Sequence, residues 1–117
     1  MSDFESMFDS NYLRWFHLPE TGLLVEIVRI DPKVEMQLPG QREKQYKPVL
    51  HYKVVAGEVD KPRPLVLNKT NAKLIASICG RDVSKWIGSQ VVFYQSEARL
   101  GREKVQCVRV RSRSNNG

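Results

Sequence analysis

One stretch of this chain, Thr70 to Cys79, carries a helical apolar stripe, and the segments on either side of it read with a period of two. Leu74, Ile75, Ile78 and Cys79 recur at the spacing that brings them to one side of a helix. Asn68 or Thr70 can cap its start, and Gly80 stands where a left-handed residue ends it. Asp82 can cap a further single turn, with Trp86 and Ile87 packing inward and Gly88 closing it.

Three strand-like segments precede the helix. Leu23 to Ile30 is apolar on both faces. Asp31 to Gln45, with Pro32, Pro39 and Gly40, is a long loop or an extension of the strand with a mobile tip. Tyr46 to Val55 alternates cleanly: Leu50, Tyr52 and Val54 form an apolar side, and Lys47, Val49, His51 and Lys53 a basic one. Leu65 to Leu67 is short, after Pro62 and Pro64. Two strands follow the helix, Gln90 to Gln95 and Lys104 to Arg111, with Gly101 at the hairpin turn between them.

Strand, strand, strand, helix, strand, strand is the order of a five-stranded OB-type β-barrel, an all-β fold with one helix sealing the barrel. An SH3-like barrel lacks that helix, and a ferredoxin-like fold needs a second long one. Residues 1–111 are expected to form this single domain. Ser2 and Glu5 fit a capping box, so a short N-terminal helix is expected there. Residues 1–20, which include the aromatic run Tyr12-Leu13-Arg14-Trp15-Phe16, are expected to pack onto the barrel. The polar residues 112–117 are expected to form a flexible tail.

The charge is unevenly placed. The net charge is +6, yet residues 1–40 hold seven acidic and three basic side chains, and the rest of the chain holds sixteen basic and six acidic ones. Such asymmetry points to a polyanionic partner. In an OB barrel, ligands lie across the second and third strands, framed by the loops between strands one and two and between strands four and five. There this sequence carries Arg42, Lys44, Lys47, His51, Lys53, Arg99, Arg102 and Lys104, with Arg109 and Arg111 on the last strand. Those ten residues are the expected nucleic-acid-binding set, since a phosphate track needs cations that release counterions. Stacking aromatics are the weaker half of the pattern. Tyr52 shares the apolar side, while Phe93 and Tyr94 point to opposite faces. Asn68-Lys69-Thr70-Asn71 reads as capping rather than a phosphate nest, and Trp86 as core.

Nothing indicates catalysis. No Ser-His-Asp or Cys-His set, Gly-rich phosphate loop or paired-carboxylate motif is present. Two cysteines and two histidines, none at ligand spacing, give no metal site, and no cofactor is expected. Cys79 and Cys107 are expected as free thiols. The acidic N-terminus has no apolar signal region, so the expected location is cytoplasmic.

The stretches Pro64-Leu65-Val66-Leu67-Asn68-Lys69-Thr70-Asn71-Ala72-Lys73, Trp86-Ile87-Gly88, Val92-Phe93-Tyr94 and Val108-Arg109-Val110-Arg111 resemble a group of small bacteriophage and prophage proteins. Asn11-Tyr12-Leu13 and Lys47-Pro48-Val49-Leu50 resemble it too, so the likeness covers most of the chain. The resemblance implies an OB-like fold, a place in the host cytoplasm, and work on single-stranded DNA in phage replication or recombination. It implies no catalytic residues, and RNA is not distinguished from DNA. The alternative from the residues is a protein-interaction module that self-associates or binds a host or virion protein through Tyr12, Trp15 and Phe16.

Overall fold

A computed structural model describes residues 12–36 and 43–113. The expected N-terminal helix and Arg42 lie outside the described residues. Five antiparallel strands form one sheet in the order β3-β2-β1-β4-β5: β1 is Leu23–Met36, β2 Gln45–Ala56, β3 Leu65–Val66, β4 Gln90–Leu100 and β5 Glu103–Ser112. The helix α1, Lys69–Cys79, lies between β3 and β4 in the chain.

β1 reaches past Ile30 as a strand extension, not a loop. Pro32 offers no N–H, and the ladder to β2 shifts register between Asp31 and Val34, where the proline sits. Likewise β4 and β5 continue past Gln95 to a two-residue turn, with Leu100 opposite Glu103 and Gly101 at φ 66°. Positive φ at the first central residue is what a type II′ hairpin turn requires.

All five strands turn one face to a single core. Leu23, Val25 and Ile27 of β1, Leu50 of β2, Leu65 of β3, Val91 and Phe93 of β4, and Val108 and Val110 of β5 meet there. Tyr52 packs edge-on against Phe93 at 5.1 Å. From α1, Ile75 is fully buried, while Leu74 and Ile78 are partly buried against the same cluster. Trp86 is buried with its indole N–H donating to the Gly80 carbonyl at 2.7 Å, but its neighbour Ile87 points outward and is 47% exposed. The amide of Gly88 and the carbonyl of Ser89 bond the backbone of Ile27 (2.8 and 2.9 Å), which commits this segment to the β1 edge and turns Ile87 away.

Asn68 caps α1, accepting from the Asn71 amide at 2.8 Å, and Gly80 ends it at φ 100°. Asn71 also ties the helix to the sheet: it is 1% exposed, and its Nδ2 donates to the Val108 carbonyl of β5 at 3.0 Å. That bond covers part of an edge that would otherwise be unpaired.

Among the described residues the two outer strands, β3 and β5, do not pair, so hydrogen bonding does not close the sheet into a barrel. Pro62 and Pro64 keep β3 to two residues. The N-terminal segment bridges the region instead. The Leu13 amide donates to the Pro64 carbonyl at 2.8 Å, and Gln95 Nε2 of β4 donates to the Leu18 carbonyl at 2.8 Å. Leu13 and Leu18 are buried in the core. No helix among the described residues is long and apolar enough to cross a membrane.

Candidate nucleic-acid interface

The alternation of β2 holds: Leu50 and Tyr52 face the core, and Lys47, Val49, His51 and Lys53 take the other side. Register then sets what they meet. Glu26 stands opposite Lys53, Arg29 opposite His51, Asp31 opposite Val49 and Val34 opposite Lys47. The basic row therefore runs along an acidic one. Lys53 Nζ lies 3.5 Å from Glu26, His51 Nε2 2.9 Å from Asp31, Arg29 Nε 3.0 Å from Asp31, and Lys44 Nζ 3.1 Å from Glu35. The Arg29 hydrogen bond, aided by His51 and opposed by some desolvation, holds the Asp31 carboxyl below its ordinary value. Exposed pairs such as these contribute about 0–1 kcal/mol each to stability. Their larger effect is to cancel cationic charge on this face. Lys47, opposite Val34, has no acidic partner among the described residues.

The β4–β5 hairpin differs. Residues 90–113 hold six basic side chains (Arg99, Arg102, Lys104, Arg109, Arg111, Arg113) and two acidic ones, Glu97 and Glu103. None of the six forms an ion pair with a carboxylate among the described residues. Glu97 instead accepts from Gln106 at 3.3 Å. The register is continuous from Val91↔Ser112 to Leu100↔Glu103, so faces can be read by alternation. Arg109, opposite Tyr94, and Arg111, opposite Val92, lie on the outer side, like Lys47, His51 and Lys53. Arg99 and Lys104 oppose each other directly on the alternate face, and Arg102 is exposed in the turn. Of the two aromatics in β4, Phe93 is fully buried, and Tyr94 is half-buried on the outer side under the Arg111 guanidinium at 5.7 Å.

The expected site residues therefore do not form one continuous track along the ladders. β1 pairs with β4 only over Leu23–Glu26. From that shared segment the β1–β2 hairpin runs one way and the β4–β5 hairpin the other. Lys44 and Lys47 project at one end, Arg99, Arg102 and Lys104 at the other, and Lys53, Arg109 and Arg111 lie between. The signal missed in the sequence was the acidic residues of β1: Glu26 over Lys53, Asp31 beside His51 after a register shift, and Glu35 against Lys44 just before β2.

The aromatic N-terminal segment is largely structural. Trp15 packs against the core and meets Phe16 edge-on at 5.6 Å. Phe16, beneath the Arg14 guanidinium at 5.8 Å, lines an open cavity of about 990 Å³ with Tyr52, Val54 and the Gly57–Asp60 turn. Burial pushes the Tyr52 hydroxyl up to about 12, with the Arg63 backbone pulling weakly the other way. Asp60 is held down to about 2, chiefly by hydrogen bonds from the Arg63 guanidinium, 2.9 and 3.1 Å away. Among the described residues no group of three or more His, Cys, Asp or Glu could hold a metal ion. Cys79 and Cys107 are free and partly buried. Comparison with family models, curated proteins and solved structures finds no match to this chain.

Proposed function

We propose that this chain binds single-stranded nucleic acid with little sequence preference, that its sheet is an OB barrel left open between β3 and β5, and that the β4–β5 hairpin supplies the main phosphate contacts. The observation that carries the reading is charge without compensation. Six cations stand against two carboxylates in the hairpin, none of them ion-paired among the described residues, with Arg99 and Lys104 directly opposed. Like charges placed directly opposite destabilise a strand pair. An arrangement that leaves them so is suited to an anion that bridges them. Tyr94 beside Arg109 and Arg111 adds an aromatic surface of the kind on which bases stack.

The sheet order β3-β2-β1-β4-β5 with α1 between β3 and β4 supports the OB reading. In OB barrels the loop between the fourth and fifth strands takes part in binding. Phosphate contacts carry no sequence information, hence the low specificity. The role in phage DNA replication or recombination follows from the resemblance and belongs to the same proposal, as does the absence of catalytic activity.

The test is fluorescence anisotropy with labelled oligo-dT, duplex DNA and RNA across a salt series. Replacing Arg99, Arg102 and Lys104 together by Gln is expected to lower the salt slope for oligo-dT by about 2, at about 0.7 per phosphate contact. If the parent protein binds no nucleic acid at low micromolar concentration in low salt, the reading fails. The protein-interaction alternative, favoured by the half-buried Phe16 in its open cavity, then takes its place.

A further inference from the structure

On the outer side of the sheet, register lines up one residue from each of four strands. Ala56 of β2 faces Leu24 of β1, Leu24 faces Val92 of β4, and Val92 faces Arg111 of β5. Ala56, Leu24 and Val92 floor a pocket of about 360 Å³ that is also lined by Arg111, Arg113, Thr21, Gly22 and Gly57. At the two glycines the backbone comes too close to its neighbours for side chains. A Cβ on Gly57 would lie 3.1 Å from the Gly22 carbonyl oxygen, and one on Gly22 3.1 Å from Val92 Cγ1, and both residues have positive φ, 107° and 89°. The turns approach each other without side chains.

The chemistry of the pocket is one-sided. Its floor is three small or aliphatic side chains, its wall holds two guanidiniums, and no carboxylate lines it. Neither arginine is ion-paired to an acid among the described residues, and Arg111 is held in place over the Tyr94 ring. An apolar floor beside paired cations suits a ligand that is flat and apolar at one end and doubly or singly anionic at the other. The volume lies at the small end of the range of about 300–1,000 Å³ typical of ligand pockets.

We infer that this pocket seats one nucleotide of the bound strand, its base against Leu24 and Val92 and its phosphate between Arg111 and Arg113. The inference rests on the nucleic-acid-binding reading above and gives it an anchoring subsite. The anion recognised is a phosphate group, which a polymer, a free mononucleotide or inorganic phosphate could supply, and the arms of the test separate these.

Two measurements test it. In the first, ¹⁵N-labelled protein is titrated with an eight-nucleotide oligo-dT, with an abasic strand of the same length, with thymidine monophosphate and with inorganic phosphate. The amides of Gly22, Leu24 and Gly57 should shift with oligo-dT, less with the monophosphate, and little with the abasic strand or inorganic phosphate. In the second, Ala56→Phe fills the pocket without altering charge. Ala56 is exposed near the end of β2, and a thermal melt checks that the variant folds. Oligo-dT should bind it about tenfold more weakly, within the range expected for losing one base contact. If inorganic phosphate or the abasic strand shifts the three amides as far as oligo-dT does, the pocket is an anion site and the nucleotide assignment falls. If Ala56→Phe binds as the parent does while the hairpin variants lose affinity, the subsite is wrong and the broader reading stands. If the parent binds no strand at all, both fall together.

Discussion

Replacing Lys104 with Glu is expected to make the protein more stable and a weaker binder at once. Arg99 and Lys104 face each other across an exposed stretch of hairpin, and neither has a carboxylate partner among the described residues. The substitution removes a repulsion and installs an attraction. Cross-strand charge pairs are worth about 0.2–1 kcal/mol, so a gain of about 0.5–1 kcal/mol is expected at low salt. Unfolding entropy is about 2.1 cal/mol/K per residue, so for 117 residues the gain corresponds to a rise in Tm of about 2–4 °C. The gain should largely vanish in 1 M salt, where the Debye length is about 3 Å. Because the pair lies near a hairpin tip that can open locally, amide exchange at Val105 and Ala98 should be followed beside the melt. Loss of one phosphate contact, as in Lys104→Gln, lowers the oligo-dT salt slope by about 0.7, which is about fivefold in affinity at 0.1 M salt, and the negative charge of the Glu variant lowers it further. Lys104→Gln should lie between parent and Glu variant in both assays. A variant that melts lower and exchanges faster at low salt would show that the two cations are not opposed as the register has it. One that binds oligo-dT as tightly as the parent would remove the hairpin from the interface.

Lys47→Gln should reduce the oligo-dT salt slope by about 0.7 and Lys53→Gln by clearly less, because Glu26 already offsets Lys53; equal slopes in a salt titration would contradict the compensated face. Ile75→Ala should destabilise the fold by about 2–5 kcal/mol in urea melts, since its side chain is fully buried where α1 meets the core. Asn71→Ala should cost about 1 kcal/mol in the same assay, because it removes one of two donors to the Val108 carbonyl, Arg109 Nη1 remaining at 3.2 Å, and the loss is partly offset because Asn71 Oδ1 is itself buried without a partner. Asp60 has a folded-state pKa of about 2 against an ordinary 3.8, so its contribution is complete above about pH 4 and is lost as pH falls toward 2. Asp60→Asn should flatten that part of the acid limb in urea melts taken from pH 2 to 5, and an unchanged limb would count against the Arg63 contact.

Local sequence was a good guide wherever the deciding physics was local. The stripe of Leu74, Ile75 and Ile78, the Asn68 cap and the Gly80 stop mark α1 because capping and 3.6-residue periodicity act within one or two turns of chain. The alternation of β2 separates Leu50 and Tyr52 from Lys47, His51 and Lys53 because successive side chains of a strand point to opposite sides. Trp86 reads as core from its local setting in a short capped turn, and it is buried. Ile87 does not follow it inward, because the bonds of Gly88 and Ser89 to Ile27 come from a strand sixty residues away in the chain.

The sequence by itself thus determined a mostly-β chain of five strands and one helix, the strand order along the chain, and a basic second half. Tertiary structure alone decided which charges remain uncompensated and which residues share a surface. Glu26 settles over Lys53 directly, and Asp31 settles beside His51 only through the bulge near Ile27, so that a change of one residue there would turn Asp31 to the other side. Ala56, Leu24, Val92 and Arg111 come from positions scattered over ninety residues and meet only because four strands pair in one register. Register is a long-range property, set by the sum of many cross-strand contacts competing against a slip of one residue. No window of sequence contains that sum, so the placement of the hairpin cations and of the outer-face pocket belongs to the folded molecule.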